Sequence, residues 1–151
     1  MTSMSQNPHA RVRLAVVHLL VGLLLVPAWA CASRQGPPRK PTHPVNGRVL
    51  FEGRPVHNAL VVFHPTGPDA ADQPQSMAKT DHEGRFQLST YDLHDGAPVG
   101  KYAVTITAEE DQGTVGELPA MYASPATSGI TVEVREGTNS LAPFQLRRPE
   151  E

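Results

Sequence analysis

The side chains able to do chemistry are few and scattered. Beyond the first thirty residues stand five histidines, His43, His57, His64, His82 and His94, and a lone cysteine, Cys31. A zinc site wants closely spaced imidazole, thiolate or carboxylate ligands. Neither His-x-x-Glu nor His-Glu-x-x-His occurs. His57 and His64 are seven apart, which on a regular strand puts them on opposite faces. Loop histidines are expected, with no metal and no cofactor. The acid pairs Asp81/Glu83 and Asp92/Asp95 fall short of the about six to eight oxygens that calcium takes, so turn capping is their expected role. No Gly-x-Ser-x-Gly nucleophile elbow occurs, and Cys31 precedes any folded element. No catalytic residue emerges.

Composition explains how little there is to position. The chain has 151 residues, 13 Lys+Arg, 15 Asp+Glu and one Cys. That is room for one domain. A net charge of −2 carries no basic excess, which argues against nucleic-acid binding. A single Cys excludes a disulfide framework. Fifteen Pro and twelve Gly against four Phe, three Tyr and one Trp suit short strands joined by turns.

Residues 1–30 read as an export signal. Arg11 and Arg13 precede an apolar run from Leu14 to Val26, and Pro27-Ala-Trp-Ala30 leads to Cys31. A basic start, an apolar middle and a small-residue exit make a secretory signal peptide. Ala28-Trp29-Ala30 is an Ala-x-Ala site for ordinary signal peptidase. Together with Cys31 it also resembles a bacterial lipobox, whose cysteine takes the lipid. The only Cys of the chain sits where lipidation needs it, so Cys31 is the expected lipidation site, with soluble export as the alternative. Cleavage leaves eleven basic and fifteen acidic residues, a formal charge of −4, and no Trp.

Residues 31–44 are expected to form a lipid-anchored, Pro-rich linker. Arg34, Arg39 and Lys40 there read as solvated charges. From Val45 the pattern turns to period two, the strand signal. Val45, Gly47, Val49 and Phe51 share a face, and Ala59–Phe63 reads as a fully buried strand. Glu52-Gly-Arg-Pro55 and Asp81-His-Glu-Gly84 are turns. Ser76–Thr80 is a weak strand, Arg85–Ser89 alternates cleanly, and Lys101–Ala108 is the strongest strand signal. Residues 109–129 form a long irregular connection, longer than structural linkers usually run. Met121 and Tyr122 in it are the candidate contact residues. Ile130–Arg135 alternates again. Leu141–Leu146 holds Pro143, which confines it to an edge or a bulge. About seven strands without a convincing helix need a second sheet to cover the first. An all-β antiparallel sandwich over 45–148 is expected, of prealbumin-like or immunoglobulin-like type.

Several motifs carry a family likeness. Gly47-Arg-Val-Leu-Phe-Glu-Gly-Arg-Pro-Val-His-Asn-Ala-Leu-Val-Val-Phe63 resembles the opening of a carboxypeptidase regulatory-like domain. Thr80-Asp-His-Glu-Gly-Arg-Phe-Gln-Leu88 and Gly100-Lys-Tyr-Ala-Val-Thr-Ile106 resemble its later turn and strand. Leu118-Pro-Ala-Met-Tyr122 with Thr127-Ser-Gly-Ile-Thr-Val132 resembles short bacterial envelope lipoproteins built on that domain. The resemblance implies a transthyretin-like sandwich and an envelope location, with no established activity. Related enzymes fit poorly. Hydroxyisourate hydrolases end in Tyr-Arg-Gly-Ser, whereas this chain ends Leu146-Arg-Arg-Pro-Glu-Glu151.

The expected function is a non-catalytic cell-envelope lipoprotein domain, structural or binding a protein or polysaccharide. Its membrane contact is an N-terminal lipid anchor facing the periplasm or cell surface. The alternative is a small-molecule-binding or hydrolytic transthyretin-like protein acting as an oligomer.

Overall fold

The computed structural model describes residues 38–108 and 118–149. The export signal, Cys31, most of the linker and residues 109–117 lie outside the described residues. Eleven short strands follow one another: β1 (Thr42–His43), β2 (Val45–Phe51), β3 (Arg54–Pro55), β4 (Ala59–Thr66), β5 (Ser76–Lys79), β6 (Arg85–Gln87), β7 (Ala97–Pro98), β8 (Gly100–Ala108), β9 (Thr131–Val134), β10 (Asn139–Ser140) and β11 (Phe144–Leu146). Two single-turn 3-10 helices, Ala70–Asp72 and Ala120–Ala123, complete the described elements. The count exceeds seven because four two-residue strands, β1, β3, β7 and β10, form outside the seven expected ones, in the linker and in the connections between them.

Two sheets face each other. One has the order β5-β4-β8-β9, antiparallel throughout. In the other, β2 lies central. β10 and β11 pair along one side of it and β6 and β3 along the other. The class is an all-β sandwich, but it is not wholly antiparallel: β10 and β11 run parallel to β2. Parallel neighbours need a long crossover. Here nearly the whole domain supplies it, because the first long strand meets the last.

The interface between the sheets is the core. Val45, Val49, Phe51, Phe86 and Leu146 come from one sheet, and Ala59, Val61, Phe63, Tyr102, Val104 and Ile106 from the other. The centre of β8 buries five consecutive residues, Tyr102 to Ile106, whereas alternate residues of β2, β4 and β6 bury, as a pleated strand with one wet face requires. Ala59–Phe63 follows the same rule: Leu60 and Val62 point outward and stay half-buried, so this run is not buried on both faces. Tyr102 is fully buried, and its hydroxyl donates to the Pro98 carbonyl at 2.7 Å. Burial, with a smaller push from Tyr91, lifts its pKa to about 12. Gly47 marks a close approach. A Cβ there would lie 2.4 Å from the Phe86 ring, which stacks on Phe144 at 5.8 Å. A side chain at 47 would drive the ring out of that space.

Pro143 sits in a one-residue bulge, as its missing N–H demands. Asn139 pairs with Val45 and Ser140 with Asn46, but Phe144 pairs with Val49. Four residues of the last strand therefore span three of β2. The folded unit also begins before Val45. β1 pairs with β7, Thr42 opposite Pro98 and His43 opposite Ala97. The end of the expected linker is thus a strand, and Arg39 is held by Asp92 at 3.0 Å.

Candidate functional site: a cleft between two strand edges

The two lateral margins of the sandwich are built differently. On one side the chain leaves β6 and crosses to the facing sheet. Ser89 and Met77 exchange backbone hydrogen bonds, each 2.9 Å long, which laces the margin shut. On the other side β9 and the β10–β11 segment end their sheets without meeting. A cleft of about 630 Å³ opens between them. Half-buried Ile130, Val132, Leu141 and Phe144 pack against the core there.

Backbone direction decides what this cleft offers. The Val104 N–H donates to the Ile130 carbonyl at 2.9 Å, and Val132 pairs with Tyr102. In an antiparallel ladder the alternate residues then turn the other way. Thr131 and Glu133 therefore aim N–H and C=O away from β8. Across the cleft the Glu52 N–H donates to the Leu146 carbonyl at 3.0 Å, so Gln145 between the paired residues turns its backbone outward. Two partly unpaired strand edges beside an apolar floor can accept an extended chain by strand addition.

Tyr122 and Met121 have different environments. Tyr122 is buried, 8% exposed, and its hydroxyl both donates to the Arg147 carbonyl and accepts the Arg147 N–H, at 3.0 Å each. It plugs the end of the cleft and covers the strand edge just beyond β11, so its ring is packing rather than free contact surface. Met121, next to it, is 38% exposed. The Thr127 hydroxyl donates to its carbonyl at 2.7 Å, and Ser128 N–H to the Ser124 carbonyl at 2.9 Å. Residues 120–128 form a compact cap.

The histidines are dispersed. The His43 ring accepts the Gly137 N–H at 3.0 Å. His64 lies between Thr105 and Gln75, at 2.9 and 3.0 Å, and burial holds its pKa below the ordinary value. His57 stacks on His82 with ring centroids 3.9 Å apart, and its buried Nδ1 has no hydrogen-bond partner. Sequence spacing gave no hint of that stack, because it joins two separate turns. Among the described residues no three His, Cys, Asp or Glu side chains gather as metal ligands would. Asp81 accepts the N–H groups of Arg85 and Glu83 at 2.8 and 2.9 Å, and the first of these does most to lower its pKa. Burial pushes Asp95 upward, but hydrogen bonds from Thr90 and Tyr91 outweigh it and hold its carboxyl low. Both acids cap turns.

No family model matches the sequence, and no curated protein matches it. Among solved structures the chain is similar to a DUF3823 family protein from Parabacteroides merdae, at 16% identity and a TM-score of 0.41 over 72% of this chain. It spans about half of that protein, 46% of its length. A 9R-lipoxygenase from Cyanothece is similar over 74% of this chain but only 18% of its own, at 16% identity and a TM-score of 0.35. Both likenesses are distant, and neither bears on activity.

Proposed function

We propose that this is a non-catalytic, lipid-anchored domain of the cell envelope. It resembles the carboxypeptidase regulatory-like sandwiches, and it binds an extended segment of a partner protein. The observation that carries this reading is the cleft between β9 and β11. It combines a half-buried apolar floor with backbone groups of Thr131, Glu133 and Gln145 turned away from their own sheets. Peptide backbone is the chemistry that matches such edges. A polysaccharide lacks the regular N–H and C=O alternation, and is the competing ligand class in the test.

The test uses Thr131→Pro. Proline removes the outward N–H and leaves the Tyr102–Val132 pairing in place. Capture of an envelope protein from a detergent extract, lost with Thr131→Pro and unaffected by added envelope polysaccharide, is the expected result. Capture that survives the substitution, or that polysaccharide competes away, overturns the peptide reading. The anchor is tested apart from this. The mature N-terminus should be an acylated Cys31, and Cys31→Ser should move the protein from the membrane to the soluble fraction. The mature protein should also lack Trp fluorescence, because Trp29 is the only tryptophan.

A further inference from the structure

The turn between β6 and β7 holds a leucine in water. Leu93 is 83% exposed, the most exposed large apolar side chain among the described residues. The backbone beneath it is braced. The Asp95 carboxylate accepts the N–H groups of Thr90 and Tyr91 at 2.7 and 3.1 Å. The His94 N–H donates to the Ser89 hydroxyl at 2.8 Å, and the Thr90 hydroxyl donates to the Gly96 carbonyl. Gly96 is pressed so close to the His43 carbonyl that a Cβ would lie 1.8 Å from it. A turn framed in this way presents its tip in one place.

The same turn receives the N-terminal chain. The Lys40 N–H donates to the Tyr91 hydroxyl at 3.1 Å, and Arg39 pairs with Asp92 while its guanidinium lies 5.1 Å from the centre of the Tyr91 ring. Residues 32–38 separate Cys31 from Arg39, so eight chain steps lead from one to the other. Eight residues reach at most roughly 28 Å when fully extended. A lipid on Cys31 therefore keeps Arg39 within about that distance of the bilayer, and the turn lies against Arg39. Met121 lies at the other end of the sandwich. Its neighbour Tyr122 bonds Arg147, just past the Leu146–Phe51 pair that ends β2, whereas His43 and Gly96 sit at the start of β2. Six strand steps at about 3.3 Å separate those ends by roughly 20 Å.

We propose that Leu93 docks this end of the sandwich on the lipid surface that carries the anchor. The leucine enters the boundary between headgroups and acyl chains, and the far end is held outward. The inference rests on the anchored reading of Cys31. The side chain offered to the lipid is a leucine, so the contact is apolar and does not require anionic lipid, although Arg39, paired with Asp92, and Lys40 stand beside the turn. One leucine binds weakly by itself, and the tether supplies the effective concentration that makes the contact count.

The test supplies the anchor chemically. The chain from residue 31 keeps the sandwich, whose core lies between Val45 and Leu146, and contains no Trp. Its Cys31 thiol is coupled to maleimide-headgroup lipid in phosphatidylcholine vesicles. Leu93→Trp should then show a blue-shifted emission and quenching by brominated acyl chains, while Met121→Trp shows neither. Because Trp itself favours interfaces, hydrogen exchange of residues 89–96 is followed with Leu93 intact. Tethering should slow that exchange, and Leu93→Ser should abolish the slowing. An unshifted Leu93→Trp, equal shifts at both positions, a shift confined to anionic vesicles, or protection that survives Leu93→Ser each overturns the proposal. An unacylated mature N-terminus in cells overturns the anchored reading instead, and is distinguishable because the vesicle experiment does not depend on cellular lipidation.

Discussion

The laced margin and the open margin of this sandwich face the same physical demand and answer it differently. Strand edges carry N–H and C=O groups that need partners. At Met77 of β5 the demand is met within the molecule, because the chain crosses at Ser89 and trades two hydrogen bonds with it. Thr80 adds to the same closure. Its buried hydroxyl donates to the Val56 carbonyl at 2.6 Å and accepts the Ala59 N–H at 2.8 Å. Along β9 and β11 only the end is closed, by Tyr122, and the middle stays available. The first margin is built for stability. The second leaves backbone groups of Thr131, Glu133 and Gln145 turned outward.

That contrast is sharpest when one substitution is made on both sides. Ser89→Pro deletes a lacing hydrogen bond and leaves the Met77 carbonyl without its donor, and should cost about 3 kcal/mol, read as a drop in the urea midpoint. Thr131→Pro, on the open margin, should cost clearly less, because the N–H it removes faces away from β8. Equal costs at the two positions would erase the distinction.

Thr80→Val should come next, at about 2–3 kcal/mol, because it leaves a buried N–H and a buried carbonyl without their partner. Its melting temperature should fall well below that of a Thr80→Ser control. Acid should act in the same region. Asp81 and Asp95 have carboxyls held below their unfolded pKa of about 4. The folded state binds fewer protons there, so their stabilisation is present above ~pH 4 and is lost as pH falls through the folded values. Stability measured between pH 6 and pH 2 should decline, and Asp95→Asn should flatten the decline. A flat profile in the parent protein would break the assignment of these acids as turn caps.

Tyr122→Phe carries the smallest stability effect above the noise, about 1 kcal/mol, because the two Arg147 groups it leaves are only partly buried and can turn to water. It should also widen access to the cleft. Exchange of the Arg147 amide, followed by NMR, should speed up while the Met77 and Ser89 amides stay protected.

Much of the architecture was legible in local pattern. Val45, Val49 and Phe51 bury on alternation, and Phe86 and Leu88 do the same. The Asp81 turn followed from an acid two residues before an N–H it can accept and three before a glycine, and Pro143 announced its own bulge. Other features depended on partners distant in sequence. Nothing in Asn139-Ser140 or Phe144–Leu146 says that they will lie parallel to β2. Nothing in Thr42-His43 marks a strand, since two residues form one only when Ala97-Pro98 is waiting. The Ala59–Phe63 run looked buried on both faces because apolar composition alone cannot tell a covered face from a half-wet one.

By itself the sequence determined the class of the fold, because side-chain alternation is a property of the extended backbone and needs no neighbour to be read. It also determined where the turns fall, through glycine, proline and aspartate chemistry confined to a few adjacent residues. Only the tertiary structure decided which margin closes, which edge keeps free hydrogen-bonding groups, that Tyr122 turns inward while Met121 stays out, and that Leu93 stands beside the point where the chain enters the sandwich. Those outcomes depend on which segments meet across the sheets, and residues far apart along the chain carry no local mark of the partner they will find.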